Sequence, residues 1–310
     1  MGRLGKLRVV DPVLTNLAIG YTNAQFVGSV LMPFVYLDKE GGKIPLFGKE
    51  HFKLYNTERA LRAKSNRVNP EDIGSVDVAM DEHDLEYPID YREDAESAFP
   101  LQARATNTVT EGIRLRHEKM VADIAQNPAN YPVGNKLALS GGSCFDVTTS
   151  DPEGVVSDAK AAVRAKIVKE PNTMVLGYDT WRLLKKHPQL KAILSDTRPR
   201  LVQLNDLREI FEIDNIVVGR AVMASDSGVT SDIWGDTMVL AYVPDNGGDS
   251  SGVQRSPYEP SFGYTLRKKG NPVVDTRTED GKIELVRNTD IFRPFLLGAE
   301  AGYLVSNTRA

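Results

Sequence analysis

The stretch Ser75-Val76-Asp77-Val78-Ala79-Met80-Asp81-Glu82-His83-Asp84-Leu85-Glu86-Tyr87-Pro88-Ile89-Asp90-Tyr91 decides how this chain is read. Val76, Val78 and Met80 fall on every second residue, and Leu85, Tyr87, Ile89 and Tyr91 continue the alternation after a shift of one. Period two with β-branched and aromatic side chains predicts long strands with one polar face. An earlier partner strand is expected at Lys43–Phe47, with more at Phe52–Tyr55. Asn56–Gly74 joins the two halves, with Asn69-Pro70 as a turn signal. Residues 43–91 therefore read as a hairpin-like arm. A two-stranded hairpin is marginal alone in water, so the arm is expected to need a neighbour to lie on. The plainer alternative is a surface hairpin lying on its own domain.

Charge divides this arm into two blocks. Residues 43–70 hold seven cations against two acids, a net of +5, and residues 71–96 hold eleven acids against Arg92, a net of −10. A basic block followed at once by an acidic block is a dipolar segment and a candidate contact surface. The candidate residues are the basic Lys49, Lys53, Arg59, Arg62, Lys64 and Arg67 and the acidic Glu71, Asp72, Asp81 and Glu82. One exposed ion pair contributes only ~0–1 kcal/mol, so these blocks cannot by themselves weld two chains together.

Composition narrows the class. The chain has 310 residues, 41% hydrophobic and 26% charged, with a net charge of −4. Those values exclude wholesale disorder and a disulfide scaffold, and the balance argues against a dedicated nucleic-acid binder. The lone cysteine, Cys144, fits a reducing compartment. No run approaches the ~20 apolar residues of a membrane span, and the start Met1–Lys6 lacks the apolar core of a signal peptide.

Downstream of the arm the pattern turns helical. Thr108-Val109-Thr110-Glu111 fits a capping box, with Val109, Ile113, Met120, Val121 and Ile124 on one stripe and Arg114, Arg116, Glu118, Lys119 and Asp123 on other faces. A start at Pro100 is the alternative and makes a long spine helix. Asp151-Pro152-Glu153 opens another helix. Strands at 173–177, 215–219 and 237–243 alternate with helices at 179–186 and 205–211, an α/β unit. The tail from 261 is strand-rich.

Chemistry is sparse. The chain has no phosphate-binding glycine motif, no H-E-x-x-H and no G-x-S-x-G. His51, His83, His117 and His187 sit in four separate segments, so none suggests a metal site. Cys144 has no activating base beside it in sequence and reads as a structural thiol. The acids of 71–96 lack the calcium-loop pattern.

The order of these parts resembles the tailed-bacteriophage major capsid proteins with the Hong Kong 97-type fold. Asp11–Ala18 and Val30–Pro33 resemble the N-terminal arm entering the shell. Pro171–Gly177, Trp181–Pro188, Leu207–Phe211 and Ile216–Gly219 resemble the axial lobe, and Phe262–Thr265 and Ala301–Val305 the closing strands. No single motif is diagnostic, but the ordered set covers nearly the whole chain.

The resemblance implies an α+β fold with an N-terminal arm (1–42), an extended loop (43–96) that lies over the adjacent subunit, a peripheral domain (97–130 and 265–310) and an axial domain (131–264). It implies copies that meet as hexamers and pentamers in an icosahedral shell around double-stranded DNA. It further implies no enzymatic activity, no cofactor or metal and no membrane association. Its partners would be a portal, decoration proteins and a scaffolding protein, and its place the virion after assembly in the host bacterial cytoplasm. Because the arm motif starts at Asp11, a separate scaffolding protein is expected rather than a cleaved N-terminal segment. Lys49, Lys53 and Lys64 are cross-link candidates by position alone. Two other readings are an encapsulin-like nanocompartment, which shares the fold, and an unrelated soluble enzyme.

Overall fold

The computed structural model describes residues 26–46, 57–59, 61, 64–67, 74–194, 201–225, 227–244 and 261–310. Helix α1 (Gly28–Leu31) and strand β1 (Phe34–Leu37) are followed by β2 (Gly41–Leu46), β3 (Gly74–Ala79) and β4 (Asp81–Asp90). Next come α2 (Tyr91–Glu96), α3 (Leu101–Ala125), β5 (Lys136–Ala138), α4 (Pro152–Ile167), β6 (Thr173–Gly177), α5 (Tyr178–Leu184), α6 (Pro188–Ile193) and α7 (Leu204–Phe211). The chain ends with β7 (Asn215–Gly219), β8 (Val222–Ala224), β9 (Thr230–Asp232), β10 (Met238–Ala241), β11 (Gly263–Lys268), β12 (Val273–Glu279), β13 (Ile283–Leu296) and β14 (Gly302–Ser306).

The alternating stretch is strand, and the shift in its pattern at Met80 is a change of sheet. β2 and β3 pair antiparallel with Ile44 opposite Val76, so the base of the expected hairpin is present; Phe47 and Phe52–Tyr55 lie outside the described residues. β4 belongs elsewhere. It pairs antiparallel with β13 along its whole length, from Asp90 opposite Ile283 to Asp81 opposite Phe292. The apolar side chains follow suit: Ile89 packs with Leu101, Ala105 and Val286, and Ile44, Val78 and Met80 pack with Val35, Tyr264 and Leu266. The expectation that this ribbon finds burial only on another copy is thus corrected for residues 74–90, which lie on their own chain. The sequence hid the partner because polar Asn288, Asp290 and Arg293 interrupt the apolar pattern of β13.

β13 organises the first sheet. β11 and β12 line one of its edges in succession, β4 lines the other, and β1 runs parallel to β11. The second sheet has the order β5-β14-β10-β6-β7. Its strands β6 and β10 are buried throughout, as expected for a sheet covered on both faces. Met174 and Leu176 face α4, α5 and α7. Val175 and Val239 face α3, α1 and Trp234 on the opposite side.

Helix α3 ties the two sheets together. It begins at Leu101 with Pro100 at the cap position, so the long alternative is the one found. Thr108 lies inside it and donates its hydroxyl to the Arg104 carbonyl at 2.8 Å rather than capping. At ~1.5 Å per residue the helix is ~37 Å long. Leu101, Ala105, Val109, Ile113, His117, Val121 and Ala125 are all buried at steps of four residues. Four residues turn ~400° on an ideal helix, so the buried seam rotates ~40° at each step. The N-terminal half therefore faces β4 and β13, while the C-terminal half faces the second sheet.

At the end of β6 the chain passes so close to the loop before β10 that only glycine fits. A Cβ on Gly177 would lie 1.7 Å from the Gly235 carbonyl oxygen. Gly177→Ala must displace backbone in a filled core, and a loss of about 3 kcal/mol is expected in chemical denaturation.

Candidate assembly surface

The N-terminal segment is fastened to α3 by a carboxylate with no exposed surface, that of Glu118. The Val27 and Gly28 backbone amides donate to its Oε1 and Oε2 at 3.0 and 2.7 Å. Trp234 Nε1 donates to Oε1 at 2.6 Å. Burial pushes the Glu118 carboxyl above the usual range, and these three bonds oppose that rise. Gly28 is required here, because a Cβ would stand 2.8 Å from Glu118 Oε2. Sequence periodicity places Glu118 off the apolar stripe; a charged residue one step from His117 carries no signal of burial. Glu118→Ala leaves buried N–H groups without acceptors, and an expected cost of about 3–5 kcal/mol is measurable by urea unfolding.

One step along the helix lies a second polar node. The Thr265 hydroxyl donates to the Met32 carbonyl at 2.9 Å, so His117 Nε2–H donates to that hydroxyl, also at 2.9 Å. The His117 ring stacks on Phe34 at 4.8 Å and meets Phe292 edge-on at 5.3 Å. The Arg267 guanidinium sits 4.0 Å from the Phe34 ring centre and pairs with Asp290 at 2.6 Å. His83 stacks on Phe292 at 4.3 Å. The segment entering β1, the start of β4, α3, β11 and β13 thus meet at one point.

This node sets a pH dependence. Burial first, then Arg267 and His83, push His117 down to about 3 from 6.5. The unfolded chain takes up a proton below pH 6.5 that the folded chain refuses until about pH 3. The stability conferred is therefore full above pH 6.5 and is lost progressively as the pH falls from there. Asp290 and Glu118, both raised by burial, act in the opposite direction, but they are common to wild type and variant. Between pH 7 and 4.5, wild type should lose about 3 kcal/mol more than His117→Phe in paired denaturation curves.

The face of the first sheet turned away from α3 carries charge in cross-strand rows. Arg287 grips Asp275 through two bonds, of 3.0 and 2.7 Å. Arg277 reaches Glu86 at 3.2 Å, Thr289 donates to Asp84 at 3.0 Å, and Arg293 reaches Asp81 at 3.5 Å. Of the acidic block, Asp81 and Glu86 are therefore paired with arginines of β13 and β12, which the sequence reading did not single out. The alternation Asp275, Arg277, Glu279 was the available signal. Of the expected contact residues, Arg59, Lys64, Arg67, Asp81 and Glu82 are exposed. Lys49, Lys53, Arg62, Glu71 and Asp72 lie outside the described residues, as do His51 and the Asp11–Ala18 motif.

The remaining reactive groups are structural. Cys144 is buried, with its thiol 3.6 Å from the Asn307 carbonyl. Ser150 donates its hydroxyl to the Val147 carbonyl at 2.8 Å, and His187 Nε2 lies 3.3 Å from that same carbonyl. A carbonyl only accepts, so Nε2 carries the proton and is not a base toward Ser150. No cluster of metal-ligating side chains and no helix long and apolar enough to cross a membrane occurs among the described residues.

Comparison with known proteins follows the same line. The family model described as phage major capsid protein E matches residues 19–309. The major capsid protein of Burkholderia phage BcepMu is 64% identical over 306 residues, 99% of each chain. A crystal structure of a phage-related protein from Bordetella bronchiseptica RB50 is 34% identical, with a TM-score of 0.76 over 97% of this chain and 98% of that one. The holo-SrpI encapsulin complex of Synechococcus elongatus PCC 7942 has 11% identity and a TM-score of 0.54 over 96% of this chain and 95% of that one, a likeness of fold alone.

Proposed function

The chain belongs to the phage major capsid protein E family, a family of structural shell proteins and not of enzymes, and from that premise we propose how its copies build the shell. The fold is the α+β capsid fold of the Hong Kong 97 type, and such a protein forms the capsid of the virion. In the proposed assembly, copies join as hexamers and pentamers into an icosahedral shell around double-stranded DNA. A separate scaffolding protein guides closure in the host cytoplasm, and a portal and decoration proteins complete the particle.

Residues 1–42 act as the N-terminal arm and 43–96 as the extended loop. Residues 97–130 with 265–310 form the peripheral domain, and 131–264 the axial domain. The pairing of β14 with β10 and β5 favours moving 302–306 to the axial domain. The basic Lys49, Lys53, Arg59, Arg62, Lys64 and Arg67 meet acids of an adjacent subunit. Glu71, Asp72 and Glu82 receive such contacts, whereas Asp81 is shared with Arg293 of its own chain.

The observation that carries this reading is the full-length 64% identity to a phage major capsid protein. The encapsulin reading has fold likeness alone behind it. The test is expression with and without the scaffolding partner, followed by negative-stain imaging. Wild type is expected to form shells, and deletion of residues 56–74 to leave soluble, folded subunits that do not. Normal particles from the deletion overturn the role given to the extended loop.

A further inference from the structure

Strand β12 is a sheet edge with no strand on its outer side among the described residues. It pairs only with β13 among the described residues, and all seven of its residues are exposed. Val273 and Val274 are 48% and 45% exposed. Edge strands that must stay single are blunted by charged side chains, proline, a bulge or a cover; β12 does carry charges, but Asp275, Arg277 and Glu279 alternate in sign and so can match a second copy. Residues 273–279 contain neither lysine nor proline, and β12 keeps an unbroken register with β13 from Val273 to Glu279. Its outward backbone groups form a ready row for another strand.

We infer that β12 is the edge through which two copies of this chain join into one continuous sheet, antiparallel about a two-fold axis at Thr276. This rests on the shell reading above and names one of its interfaces. The charges select the register. A two-fold axis perpendicular to the sheet keeps each residue on its own face and pairs positions whose numbers are both odd or both even. With the axis at Thr276, Asp275 stands opposite Arg277 of the other copy, and Arg277 opposite its Asp275. Val273 meets Glu279, Val274 meets Thr278, and all seven residues are used. With the axis at Asp275 or Arg277, like charges face each other, which opposes pairing. An axis at Thr278 matches charges too but overlaps only residues 277–279 of the strand. The contact is isologous, so it closes on itself as a two-fold requires. Arg287 and Glu86 hold Asp275 and Arg277 upright on the same face, so the four partners of the new pairs are positioned before the copies meet.

Single cysteines read the register directly, since the native Cys144 is buried. Thr276→Cys is its own partner across the axis, within the ~4.4–6.8 Å Cα spacing that a disulfide spans. Oxidised particles of this variant should run largely as dimers on non-reducing gels, at least tenfold above Val274→Cys or Thr278→Cys alone. Particles co-assembled from Val274→Cys and Thr278→Cys should also give dimers, which keeps the register testable if Thr276→Cys does not assemble. Shells that form normally but give no dimer in either experiment, or a dimer from Val274→Cys alone, overturn the inference. Failure of the wild-type chain to form shells counts against the shell reading instead.

Discussion

A helix that buries every fourth residue cannot present one flat face, and the architecture here depends on that constraint. The seam of α3 starts against Ile89 and Val286 and ends against Val175, Val239 and Trp234. Each half of the seam belongs to a different sheet, so the helix fixes the relation between them. Small residues at Ala105, Ala122 and Ala125 let strands and loops approach closely. Placing His117 and Glu118 midway puts two polar groups where the seam changes partners. Both are buried, and both hold segments that are remote in sequence.

Charge is used locally before it is offered outward. The sequence shows an acidic block and a basic block and suggests that they meet between copies. Within the chain, the acids of β4 already face arginines on β12 and β13. These pairs are half-exposed and add little stability each. Their effect is geometric, because they hold long side chains in defined orientations on the sheet face turned away from α3.

Local pattern recovered the elements better than their neighbours. Strands at 173–177 and 215–219 and the helix opened by Asp151 stand where their periodicity and caps put them. The Thr108 capping box did not cap, because tertiary burial of Leu101 and Ala105 extends the helix upstream past a valid local signal. Residues 74–90 of the ribbon are strand, as their alternation predicts, but they lie on a surface of their own chain. Period two reports which face is apolar; it carries no information about the partner strand some 200 residues away. Glu118 was invisible for a related reason. A glutamate is buried only when several donors converge on it, and here those donors come from Val27, Gly28 and Trp234.

The Trp234 indole gives the molecule an optical gauge. The chain has only two tryptophans, and the other, Trp181, lies in the separate core beneath α5. Trp234 is fully enclosed and hydrogen-bonded to the same carboxylate that clasps the N-terminal segment. Its emission therefore senses whether that segment is seated, so intrinsic fluorescence follows the docking of residues 26–32 without any added label.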